Sequence, residues 1–191
     1  MPSDTVLGFD TSGGWIAAAL VRGGRVLAQH HEARDKGQGE ALMPALQALL
    51  AGAGLGWGDL AAIGAGTGPG NFTGIRITTA AARGLALGLG IPAIGVSRFE
   101  ALALDGPALP VVVPALRGQV WVLEPGGVPI LGATPAQGIG EGLTPPAHPL
   151  AVAIARIAEA RRHSPQPRPA PLYLREADAA PPSEAPPALI G

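Results

Sequence analysis

The 191-residue chain carries 13 Lys or Arg against 14 Asp or Glu, a formal net charge of −1, and no cysteine. That length holds one large domain or two small ones, and the missing thiols exclude disulfides, thiolate nucleophiles and Cys-ligated zinc. The near-neutral balance excludes a protein that grips a phosphate backbone through a basic field of its own, so any role on RNA is expected to run through a partner.

Met1-Pro2-Ser3-Asp4 places no basic segment before an apolar one, so no secretory signal is read there. Uncharged runs such as 60–75 are shorter than a membrane span and broken by Gly and Pro, and a soluble cytoplasmic protein is expected. Residues 5–9, 15–21 and 25–31 read as three strands, the last two joined by a Gly23-Gly24 hairpin turn. Residues 40–53 then carry Leu42, Leu46, Leu49, Leu50 and Ala53 on one helical stripe, with Pro44 expected in the first turn and Gly54 at the end. A strand over 60–65, a helix over 73–89 stopped by Gly90 and Pro92, and a short strand over 93–96 follow. Ser97-Arg98-Phe99-Glu100 is a capping box that opens a third helix.

After Gly106 the texture changes. Strands are expected over 111–113, 119–123 and 128–131 and a helix over 150–162, with Pro and Gly crowding the spaces between. The expected division is a first lobe over 1–106, a reduced second lobe over 107–175, and a mobile Pro-rich tail over 176–191.

Two helices are short of charge. No charged side chain occurs from Ala41 to Gly58, and between 73 and 89 only Arg76 and Arg83 are charged. An outer helix should have one apolar stripe and one charged face. Here Ile77, Ala80, Gly84, Leu87 and Gly88 lie opposite the stripe of Ile75, Thr79, Ala82, Ala86 and Leu89, so both faces call for cover. Ala80, Gly84 and Gly88 recur every fourth position, which lets another helix approach closely. A helix-on-helix protein interface is expected through Leu42, Leu46 and Leu49 of the first helix and Ile77, Ala80, Gly84, Leu87 and Gly88 of the second.

The densest motif is Gly66-Thr67-Gly68-Pro69-Gly70-Asn71-Phe72-Thr73-Gly74-Ile75-Arg76, a glycine loop feeding a helix N-terminus. It is neither a P-loop, since no Lys follows, nor a clean dinucleotide fingerprint. Gly68, Gly70 and Gly74 let such a loop lay its N–H groups against an anion or another backbone. Thr73 is the expected N-cap, and Phe72 lies beside it. Arg76 opposes the helix dipole, which suits either a grip on a partner's carboxylate or a phosphate, or a solvated side chain lying along the loop. Asp10-Thr11-Ser12-Gly13-Gly14, at the end of the first strand, suits a phosphate or Mg²⁺ site or a plain Asx or Ser/Thr turn. His30, His31, His148 and His163 include no pair four apart and no H-E-x-x-H, so no metal site is expected.

Three landmarks together, Asp10-Thr11-Ser12, the G-P-G-N-F-T-G-I-R element at 68–76 and Pro171-Leu172-Tyr173-Leu174-Arg175, make the chain resemble the TsaB (YeaZ-like) family. Members of that family are non-catalytic subunits of the bacterial machinery that makes threonylcarbamoyladenosine in tRNA. The resemblance runs from about Val6 to Leu104, fades through the shortened middle and returns at Leu172. It implies an α/β, actin-like ATPase (ASKHA, RNase H-like) fold, with a βββαβα first lobe and a reduced second lobe, in agreement with the element order.

It also implies pairing with the catalytic relative TsaD and with the ATPase TsaE, a homodimer when TsaD is absent, and contact with tRNA only indirectly. No membrane, no catalytic residue and no cofactor are implied, with weak nucleotide binding at a site shared with TsaD left open. Two departures stand out. Pro114-Ala115-Leu116-Arg117-Gly118-Gln119-Val120-Trp121 lies where relatives read Asp-Ala-Arg-x-Gly-Glu-Val-Tyr, and Gln38 replaces the histidine found before Leu-x-Pro. A stand-alone actin-like phosphotransferase would need the carboxylate that Pro114 displaces. A stand-alone homodimeric binding module is the other rival.

Overall fold

The computed structural model describes residues 4–174. Arg175 and the segment 176–191, expected to close the last motif and to form a tail, lie outside the described residues.

Strands β1 (Thr5–Asp10), β2 (Trp15–Arg22) and β3 (Arg25–Ala33) form an antiparallel meander. Gly23 and Gly24 have φ of 58° and 72°, as a primed hairpin turn requires. Helix α1 (Gln38–Gly52) leads to β4 (Leu60–Gly66), which adds parallel to β1, and α2 (Phe72–Leu89) leads to β5 (Ala93–Val96), which adds parallel to β4. The sheet order is therefore β3-β2-β1-β4-β5, and the elements follow one another in the βββαβα succession expected of the first lobe.

Alternation along the strands assigns the two faces. Leu7, Phe9, Ile63 and Ala65 point to the α1 and α2 side, where they pack with Leu42, Leu46, Leu50, Ala82 and Ala86. Val6 and Ala62 point to the other side, as do Gly8 and Gly64. Burial on both faces is why β1 reads as a continuous run rather than an alternating one.

Helix α1 begins two residues earlier than its stripe suggested, so Pro44 falls in the second turn. The Glu40 carbonyl thereby loses its helical partner, and exposure of Pro44 leaves that carbonyl open to water.

Helix α3 (Arg98–Ala103) leads to a second sheet of β6 (Val111–Pro114), β7 (Val120–Leu123) and β8 (Ile130–Gly132), in that order and antiparallel. Phe99 and Leu102 of α3 join it to the first lobe through a cluster with Val111, Val113 and Ile139.

Helix α4 (Leu150–Arg161) corrects the expected division, because it covers the back face of the first sheet. Seven of its residues are buried, five of them in the unbroken run Ala151 to Ala155. The close approach depends on glycine: a Cβ on Gly8 would lie 2.5 Å from the Ala155 amide nitrogen. Glu159 of α4 also accepts the Gly23 and Gly24 amides, at 2.6 and 2.8 Å, and holds the first hairpin. Among the described residues no helix is long and apolar enough to cross a membrane.

Candidate functional site

Asp10 ends β1 beneath the glycine loop and is 1% exposed. Its Oδ1 accepts the Ser12 amide, the Ser12 hydroxyl and the Trp15 indole N–H, each at 2.9 Å. That oxygen is satisfied within its own turn, which is the Asx-turn arrangement.

The loop is likewise tied to its own chain. Thr11 donates its amide to Thr78 Oγ1 at 2.9 Å and its hydroxyl to the Gly74 carbonyl at 2.8 Å. The Asn71 amide donates to the Ser12 carbonyl at 2.6 Å. A Cβ on Gly74 would collide with the Thr11 carbonyl and one on Gly70 with the Ser12 carbonyl, so both glycines serve close backbone approach. Gly68 has φ of 91°. The backbone that this loop lies against is thus the chain's own.

The N-cap is not Thr73. Helix α2 begins one residue earlier, and Asn71 Oδ1 accepts the Gly74 amide at 3.0 Å. Asn71 has the extended backbone of an N-cap, with ψ of 125°, whereas Thr73 already lies inside the first turn and is exposed.

Arg76 is exposed and lies along the loop, as the second of its two expected readings has it. Its Nε donates to the Tyr173 hydroxyl at 2.8 Å, and its Cζ lies 3.8 Å from the Phe72 ring centre. The Phe72 and Tyr173 rings stack with centres 5.0 Å apart. Leu172, just before, donates its amide to the Thr67 carbonyl at 2.8 Å, so the C-terminal motif returns to the end of β4.

Between the loop and the second lobe opens a cleft of about 740 Å³. Trp15 and Arg98 line it from the first lobe, Pro114 and Trp121 from the second, and Phe72 and Tyr173 stand beside the loop. The Arg98 guanidinium sits 4.9 Å from the Trp15 ring centre, and its Nε is sealed from solvent with no hydrogen-bond partner. Burial lowers the Arg98 pKa from its ordinary value, against the opposing pull of the Asp10 and Glu141 charges.

Sequence reasoning placed Arg98 only as a member of a capping box. A cation in the first turn of α3 opposes the helix dipole just as Arg76 does in α2, and that was the signal available. Among the described residues no group of three or more His, Cys, Asp or Glu is placed to hold a metal.

The proposed helix interface divides in two. Leu42 and Leu46 are 1% and 0% exposed in the chain's own core, so they are not open to a partner. Leu49 and Ile77 are half-buried at its edge. Ala80, Gly84, Leu87 and Gly88 form an outward stripe on α2, where Leu87 is 86% exposed and a Cβ on either glycine would meet nothing within 4 Å.

Comparison with known proteins supplies the family. The model of TsaD, tRNA N6-adenosine threonylcarbamoyltransferase, matches residues 27–177. The tRNA threonylcarbamoyladenosine biosynthesis protein TsaB of Bacillus subtilis (strain 168) is 36% identical over 121 residues, covering 61% of this chain and 53% of that protein. An uncharacterized protein of Mycobacterium tuberculosis (strain H37Rv) is 34% identical over 203 residues, covering 93% of this chain and 94% of its own. The chain spans about half the length of the curated TsaB relatives it matches. The structure of YeaZ from Pseudomonas aeruginosa superposes with a TM-score of 0.64 at 25% identity, covering 89% of this chain and 99% of that one. The fold is actin-like, of the ASKHA type.

Proposed function

We infer the function from one premise: the chain belongs to the TsaD family and is TsaB/YeaZ-like within it. It takes part in the biosynthesis of threonylcarbamoyladenosine in tRNA, as a scaffold subunit that binds TsaD and is joined by TsaE. TsaD would transfer the threonylcarbamoyl group to N6 of the adenosine next to the anticodon in ANN-decoding tRNAs, and this chain would reach tRNA only through TsaD. In TsaD's absence the same surface would pair with a second copy of the chain.

The observation that carries the reading is the outward stripe of α2. An 86%-exposed leucine flanked by open glycines is an apolar surface shaped for close helix contact. A non-catalytic role is supported by Asp10, whose Oδ1 is held by Ser12 and Trp15, and by Pro114 on the opposite wall, which stands where the family pattern carries a carboxylate. The same two residues weigh against the stand-alone phosphotransferase and against a resident nucleotide.

The test is co-purification with the cognate TsaD, followed by tRNA modification with and without this chain. Modification that requires the chain, by a complex holding both, is expected. TsaD that modifies tRNA equally well alone, or robust ATP hydrolysis by the isolated chain that Asp10→Ala abolishes, would overturn the reading.

A further inference from the structure

We propose that the cleft between the lobes binds a small monoanion, a carboxylate borne on a flat apolar body, with Arg98 as its anchor. This concerns the isolated chain and does not depend on the partner reading.

Arg98 is the reason for an anion. Its guanidinium Nε is buried away from water and has no hydrogen-bond acceptor. A guanidinium held so is short of acceptors that its surroundings do not supply. The Trp15 ring, 4.9 Å away, supports the guanidinium from one side and offers no oxygen. The planar fork matches the two oxygens of a carboxylate.

The surrounding charges choose a monoanion over a phosphate chain. Glu141 and Asp35 line the cleft beside Arg98, and Asp10 lies behind it, so each further negative charge on a ligand meets more repulsion. Relief by a bridging metal is poorly served, since among the described residues no group of three or more His, Cys, Asp or Glu is placed to hold one. The remaining walls choose the body of the ligand. Trp121, Phe72 and Tyr173 present ring surface, and about 740 Å³ suits a molecule of small-ligand size.

The test titrates the full-length chain by calorimetry and tryptophan fluorescence with three probes: hippurate, the uncharged hippuramide with the same body, and ADP with Mg²⁺. Hippurate should bind about tenfold or more tightly than hippuramide, as loss of a charge-assisted pair implies. Arg98→Gln should bring hippurate down to the hippuramide level, and Glu141→Gln should tighten hippurate severalfold without changing hippuramide.

Equal affinity for the two benzoyl compounds, no hippurate binding up to about 10 mM, or tighter binding of Mg²⁺-ADP would each overturn the proposal. If Arg98→Gln fails to fold, the hippurate-to-hippuramide ratio and its response to Glu141→Gln still decide.

Discussion

The Nε of Arg76 donates to the Tyr173 hydroxyl at 2.8 Å while its guanidinium lies 3.8 Å from the Phe72 ring centre, so the first turn of α2 is clamped to the segment that returns from the second lobe. The clamp explains a cation at a helix N-terminus. The unfavourable dipole interaction of a few tenths of a kcal/mol is offset by a stacked and hydrogen-bonded guanidinium, with cation–π contact alone contributing about 0.5–1 kcal/mol at an exposed site.

Arg76→Ala should therefore lower the melting temperature by a few degrees, read by thermal unfolding followed by circular dichroism. Arg76→Lys should not restore it, because an ammonium lacks the planar face. Tyr173→Phe should give a smaller loss, since it keeps the stack with Phe72 and removes only the hydroxyl. An Arg76→Ala variant as stable as the parent would show the clamp to be energetically silent.

The N-cap assignment yields a paired comparison. Asn71→Ala removes the acceptor of the Gly74 amide and should cost about 0.5–2 kcal/mol in urea unfolding. Thr73→Ala should change stability by less than about 0.5 kcal/mol, as an exposed residue outside the cap. The reverse order would restore Thr73 as the cap.

What the sequence made legible follows from which interactions are local. The Gly23-Gly24 turn and the Ser97–Glu100 box depend on neighbours in the chain, and each appears where it was read. Leu42 and Leu46 show the limit. An apolar stripe says that a face is covered, not whether the cover is the chain's own sheet or another protein. Helix α4 shows it again, because chain order placed it with the second lobe while its small residues fit the glycines of the first. Arg98 was out of reach for a third reason: its shortage of acceptors exists only once Trp15, Asp10 and the second lobe surround it.

Glu100 gives a pH prediction. Burial by itself raises its pKa, but the Ser97 hydroxyl and amide, at 2.7 and 2.8 Å, and Arg161 Nη2, at 2.8 Å, outweigh burial and hold it below the ordinary value. A depressed carboxyl stabilises the fold above its unfolded-state pKa of about 4.3, and that contribution is lost as pH falls through the lower folded-state value. The stability advantage of the parent over Glu100→Gln should be full at pH 7 and disappear toward pH 3 in melting scans. An advantage independent of pH would show that the carboxylate charge contributes nothing.

The two parts of the helix pair should respond in opposite senses. Leu46→Ala opens a cavity at a 0%-exposed core position and should cost about 2–5 kcal/mol. Gly84→Arg places a long cation on the open face of α2, where a Cβ meets nothing within 4 Å, and a helix former replacing an exposed glycine should raise stability by up to about 1 kcal/mol. The same substitution should abolish co-purification with TsaD and any self-association in analytical ultracentrifugation, since a helix contact in an interface of roughly 1,200–2,000 Å² cannot close over an arginine at its nearest approach. Leu87→Ala should fold as the parent does and weaken association by about tenfold or more, the loss expected on truncating a central apolar anchor. A Gly84→Arg chain that melts higher and still binds TsaD would move the interface off this stripe, while one that melts lower would show that α2 is covered from within the chain.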